Sequence, residues 1–80
     1  MSDLKPLSEE AKKLKQGIYE HFKGQRYKIV SVGRDSETLE ELVVYQGQYG
    51  DNPVWVRPLR SFLEIVERDG KEFPRFKHIG

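Results

Sequence analysis

Apolar residues at the start of the chain recur at steps of three and four: Leu4, Leu7, Ala11, Leu14 and Ile18. That spacing predicts a helix with one narrow apolar stripe. Ser8 is placed to cap it, with Leu7 just before. Glu9 and Glu10 fall in the first turn and Lys12, Lys13 and Lys15 in the last, which suits the helix dipole. Gly17 is a natural stop. A helix of about two to three turns is marginal alone in water. The stripe therefore docks either on its own domain or, since the spacing is heptad-like, on a partner or a second copy. This pattern sets residues 1–16 apart as an N-terminal helical extension from a β domain over residues 17–80.

From Ile18 the period changes to two. "IYEHF" is a short alternating run ended by Lys23 and Gly24, and "RYKIVSVGR" is a second strand rich in β-branched residues. In the latter Tyr27 and Ile29 alternate only loosely with Val30 and Val32. "DSE" carries turn chemistry. "TLEELVVYQ" is a third strand, with Val43 and Tyr45 on one face and Leu42 and Val44 on the other. "GQYGDNP" is a loop in which Gly47 and Gly50 flank Tyr49, and "VWVR" is a fourth strand. Pro58 ends that strand and suits the first position of a helical turn, expected over Leu59 to Phe62. Residues 63–67 fit a helix or a strand. Asp69-Gly70 predicts a type I′ hairpin, followed by "EFPRFKHI" as a final extended segment kept at an edge by Pro74. The fold class is mainly β: a small, partly open SH3-like barrel of about five strands, with an N-terminal helix and a short helical turn after Pro58. An open antiparallel sheet with a helix on one face is the alternative.

Composition narrows the function. Eighty residues make one domain. The absence of cysteine removes disulfide frameworks, thiolate metal sites and thiol catalysis, and suits a cytoplasmic protein. No apolar run approaches the roughly 20 residues that span a membrane, and "MSDLKPLSEEAKKLKQ" lacks the apolar region of a signal peptide. Fourteen basic residues against 13 acidic ones leave a net charge of +1, too balanced for a strong nonspecific grip on nucleic acid.

Four segments, "GIYEHFKGQRYKIVSVGRDSET", "VVYQ", "WVRPLRSF" and "FPRFKHI", resemble a family of small bacterial domains of unknown function. The shared pattern is a Gly-x-Tyr-x-His-Phe-Lys-Gly opening, Val-Tyr, Trp-x-Arg-Pro with a Phe four residues later, and Pro-Arg-Phe. It runs from Gly17 to Ile79 and leaves out the N-terminal helix. The resemblance implies a compact bacterial domain and no particular activity.

Catalytic patterns are missing. His21 and His78 have no Ser, Cys or carboxylate at a recognisable spacing, and His21 reads as a structural histidine in a strand. No metal-ligand spacing appears, and Glu37, Glu40 and Glu41 read as a solvated edge. No phosphate loop is present, because "GQYGDN" is followed by no Lys, Ser or Thr and no helix. No catalytic residue, metal or cofactor is expected.

Aromatic and arginine residues form the one suggestive set. In an extended "VWVR", Trp55 and Arg57 share a face opposite Val54 and Val56. The valines are the better core candidates, which leaves Trp55 and Arg57 on an outer or mouth face. Tyr19, His21, Tyr45, Tyr49, Trp55, Arg57 and Arg75 then make a candidate binding surface of the residue types that carry interface energy. The plainer reading places Trp55 in the core and pairs Arg57 with Glu64 or Glu67. Arg75 is exposed or pairs with the central acids, while Phe73 and Phe76 pack. Two functions follow. The first is a non-catalytic module that recognises a peptide or protein partner through this face. The second is a nucleic-acid-binding module on the same scaffold, using stacking rings with Arg57, Arg60 and Arg75. The near-zero net charge disfavours the second.

Overall fold

The computed structural model describes residues 6–80. Leu4, the first member of the apolar stripe, lies outside them. Helix α1 covers Glu9–Lys13, shorter than the spacing predicts. Ser8 caps it, its hydroxyl accepting from the Ala11 N–H at 3.1 Å. Leu14 is already extended, and its N–H closes the helix on Ala11 O, three residues back, at 3.3 Å. Lys15 O accepts from the Tyr19 hydroxyl at 2.8 Å, and Gln16 O lies 2.9 Å from His78 Nε2. Gly17 therefore does not stop the helix. It sits at φ +112°, and a Cβ there would lie 2.5 Å from the Gly80 carbonyl oxygen. The stripe docks on its own domain: Ala11 is buried, and Leu7 and Leu14 pack against the core.

Seven strands follow: β1 Ile18–His21, β2 Arg26–Arg34, β3 Glu41–Gly47, β4 Val54–Pro58, β5 Ile65–Arg68, β6 Lys71–Pro74 and β7 Phe76–His78. Helix α2, Leu59–Phe62, links β4 to β5 as the single turn expected after Pro58. The fold is mainly β; among the described residues there are seven strands in two sheets instead of about five in one, and no closed barrel. The larger sheet has the order β4-β3-β2-β1-β7, all neighbours antiparallel, and the smaller is the hairpin β5-β6. Residues 65–68 are strand, which resolves the ambiguous stretch after α2. Asp69 and Gly70 take φ 53° and 75°, as a type I′ turn requires. The final segment is not one strand. It breaks at Arg75, whose N–H donates to Glu64 O at 2.9 Å and whose carbonyl accepts from Phe22 N at 3.0 Å. This break sends β6 to β5 and β7 to β1. Among the described residues no helix is long and apolar enough to cross a membrane.

A β-bulge explains the loose alternation in β2. The register shifts between Ile29 and Ser31, so Val30 is the extra residue. Tyr27 and Ile29 are buried, Val30 and Ser31 are both exposed, and Val32 returns to pack on the core. The bulge keeps Ile29 and Val32 on one face although their parity differs.

The core is unusually aromatic for its size. Tyr19, Tyr27, Tyr45, Phe62 and Phe76 are buried with Ala11, Ile29, Val43 and Leu59. Phe62 and Phe76 stack at 4.2 Å between centroids and 7° between planes, and other rings meet them edge-on.

A rim of aromatic rings around an arginine

Strand register decides which way β4 faces. Tyr45 pairs with Trp55 and Val43 with Arg57. Tyr45 and Val43 point into the core, so Trp55 and Arg57 share that inner face. Val54 and Val56 point out and are 57% and 58% exposed. The sequence expectation that these valines serve the core is thus overturned. β4 is the edge of the sheet, so its inner face lies at the margin of the core. Long amphipathic side chains suit that margin, with their stems on apolar neighbours and their polar ends in water.

Arg57 is half-buried and held from two sides. Its Nε–H donates to the Tyr45 hydroxyl at 3.2 Å and its Nη1 to the Ser61 hydroxyl at 2.9 Å. Its guanidinium carbon lies 5.8 Å from the Phe76 ring centroid. No carboxylate approaches it within 4.0 Å among the described residues, so the pairing with Glu64 or Glu67 does not occur. Glu64 instead binds Arg75, whose Nη2 lies 2.7 Å from Glu64 Oε1. Arg75 thus pairs with Glu64 and not with the central acids. Its Nε is buried without a hydrogen-bond partner among the described residues.

Trp55 is not core; it is 48% exposed. Its indole N–H donates to the Tyr49 hydroxyl at 3.1 Å, which lies 3.3 Å from the Tyr27 hydroxyl. The Tyr49 ring reaches this place by lying across Gly47, where a Cβ would be 2.7 Å from the ring. Tyr49 is thus folded back on the sheet, not presented outward on its loop. Burial, then its bond to Tyr49, pushes the Tyr27 hydroxyl up to about 12. The Tyr27 hydroxyl therefore stays protonated near pH 7.

His21 closes the other side. Its ring meets Phe76 edge-on at 4.9 Å and Tyr27 at 6.5 Å. Its Nδ1 accepts from the Lys23 N–H at 3.1 Å, which leaves the proton of the neutral ring on Nε2. Burial, then the charges of Arg75, Arg57 and Lys23, hold its pKa below the usual 6.5.

The structure brings together six of the seven residues singled out in the sequence: His21, Tyr45, Tyr49, Trp55, Arg57 and Arg75. Tyr19 is on the same face of the sheet but at the other side of the core, against Phe62 and His78. Tyr27 and Ser61 belong to the cluster and were missed. Tyr27 shares parity with Ile29 in "RYKIV", a signal that could have placed it inward. Ser61 carries no signal, because only the turn of α2 brings it to Arg57. The acidic run is also engaged: Glu40 binds Arg60 at 2.7 Å and Glu41 binds Ser8. Among the described residues no three His, Cys, Asp or Glu side chains converge as a metal site requires.

A small curled sheet with an aromatic rim around one arginine is the class of domain that this geometry defines. The family described as protein of unknown function (DUF1653) matches residues 17–78, and the chain belongs to that family. It is similar to a crystal structure of a protein of the same family from Bordetella bronchiseptica. Identity is 33%, the TM-score is 0.80, and the match covers 88% of this chain and 92% of that one. No curated protein matches.

Proposed function

We propose that the protein is a non-catalytic binding module that recognises a peptide or protein partner through the rim of Trp55, Tyr49, Arg57 and His21, on an SH3-like scaffold. One observation carries this reading. Arg57 is half-buried and oriented by two hydroxyls, with no carboxylate within 4.0 Å of it among the described residues. A guanidinium has five N–H donors; among the described residues two are used, which leaves three. Such a fixed, unneutralised fork matches a carboxylate, which it can grip through two parallel bonds. The rings of Trp55 and Tyr49 beside it supply stiff apolar area at small entropic cost.

Selection of displayed peptides on the full chain tests this. The expected result is enrichment of carboxylate-bearing peptides whose binding changes Trp55 fluorescence and is lost in Arg57→Gln. Enrichment that is indifferent to both Arg57→Gln and Trp55→Ala, in variants with a native amide spectrum, overturns it. Tight binding of single-stranded oligonucleotides that collapses as salt rises, and that competes with the peptides, makes the rim a nucleic-acid surface instead.

A further inference from the structure

Among the described residues the outer edge of β4 is unpaired. β4 is the last strand of the larger sheet, and Val54, Trp55 and Val56 are all exposed. The hydrogen-bond parity of this edge follows from one bond. Gly47 N–H donates to Pro53 O at 2.8 Å, so Gly47 and Pro53 form a hydrogen-bonded pair. In an antiparallel ladder such pairs recur every second residue. Tyr45 with Trp55 and Val43 with Arg57 are therefore the bonded pairs, and the N–H and C=O of Val54 and Val56 point away from β3. Pro58 fits this parity, because the N–H it lacks would also point outward, where β3 loses nothing.

We infer that this edge accepts an extended, acidic segment of a partner as an additional antiparallel strand. The inference rests on the reading of Arg57 as an anion-binding group and adds how the ligand lies. Two donors and two acceptors on Val54 and Val56 bind its backbone. Partner residues opposite Val54 and Val56 lie on the outer face, beside those valines and Val44, and are apolar. The residues opposite Trp55 and Arg57 lie on the inner face. They are non-hydrogen-bonded pairs, in which side chains approach most closely. Running antiparallel, the segment reads acid, apolar, aromatic or apolar, apolar: the acid meets Arg57 and the third residue stacks on Trp55.

A second copy of the chain fits less well. Pairing β4 with itself through Val54 and Val56 centres the strands on Trp55. Arg57 then faces Pro53 of the other copy and still has no anion.

The test uses the full chain and a short blocked peptide of the pattern threonine-glutamate-valine-phenylalanine-valine-threonine. Two control peptides carry glutamine for glutamate, or an N-methyl group on the first valine. Binding is followed by Trp55 fluorescence and by hydrogen exchange at individual amides. The expected result is exchange at Val54 and Val56 slowed about tenfold or more on binding, and affinity about tenfold lower for the glutamine peptide. The N-methyl peptide, which cannot donate to Val56 O, is expected to bind as weakly. Glutamate-dependent binding with Val54 and Val56 amides unprotected overturns strand addition and leaves the Arg57 reading standing. Absence of binding to any of the peptides overturns strand addition by this segment. If displayed peptides are also indifferent to Arg57→Gln, the Arg57 reading falls with it. A dimer by sedimentation with those two amides already protected in the free protein overturns the inference, because the edge is then an interface between copies.

Discussion

Ser8 and Glu41, 33 residues apart, hold the first helix to the sheet. The Ser8 hydroxyl donates to Glu41 Oε1 at 2.6 Å and its N–H to Oε2 at 2.7 Å, while the same hydroxyl accepts from Ala11 N–H. One serine thus caps α1 and ties it to the start of β3. Five helical residues would not stay folded unaided, so the docking and the helix stand or fall together.

Glu41→Gln is expected to loosen α1 while the sheet persists. Bonds from Ser8 hold the Glu41 carboxyl below the usual carboxylate range. A depressed pKa means stability that is present above the unfolded value and lost as pH falls through the folded one. The difference between wild type and Glu41→Gln should therefore be full at neutral pH and shrink in acid below about pH 4.5. Exchange of the α1 amides at several pH values checks this; an equal difference at acid and neutral pH refutes the role of the carboxylate.

Gly47→Ala should displace Tyr49. The added methyl cannot share space with a ring 2.7 Å away, and the ring is the part free to move. The cost is about 1–2 kcal/mol. Trp55 then loses the acceptor for its indole N–H, so its emission should change, as it should in Tyr49→Phe. Unchanged Trp55 emission in a folded Gly47→Ala protein would show that Tyr49 does not rest on Gly47.

Phe62→Ala removes the centre of the ring cluster, the largest fully buried side chain. A loss of about 3–5 kcal/mol is expected. A domain of this size has on the order of 5–10 kcal/mol in total, so the urea midpoint should fall steeply or the protein should unfold. Phe62→Leu keeps most of the volume and should lose less. A Phe62→Ala midpoint close to wild type would contradict the packing described.

His21 should make the protein less stable as it is acidified. Its folded pKa lies below 6.5, so between the two values the unfolded chain binds a proton that the folded chain does not. Stability from this group is complete above pH 6.5 and declines as pH falls toward the folded pKa. A ring-proton titration of His21 by NMR should give a midpoint below 6.5, and His21→Gln should flatten the urea midpoint over that window. A His21 midpoint above 6.5 would mean that neither its burial nor the charges of Arg75 and Arg57 govern it.

Much of the chain is legible without coordinates. The strand limits of "RYKIVSVGR", the single helical turn after Pro58 and the Asp69-Gly70 hairpin are written in local chemistry: β-branching, a fixed proline φ, and a turn that needs two positive φ values. The grouping of Trp55 with Arg57 on one face is equally local, since side chains alternate along any strand. Which face that is could not be read locally. Apolar content favoured Val54 and Val56 for the core, and the register with Tyr45 and Val43 reversed it. The end of α1 was likewise out of reach, because Tyr19 and His78, from later in the chain, bind the carbonyls of Lys15 and Gln16 in the extended segment that follows it.

The sequence by itself determined the mainly β class, the family, most element limits, and the residue types gathered at the rim. Only the tertiary structure decided the bulge at Val30, the splitting of the last segment at Arg75, the addition of Tyr27 and Ser61 to the rim, and the face of the sheet on which Arg57 lies. The physical reason is range. Propensity and turn chemistry act within a few residues, whereas register, and so the face each side chain takes, is set by pairing with strands distant in sequence.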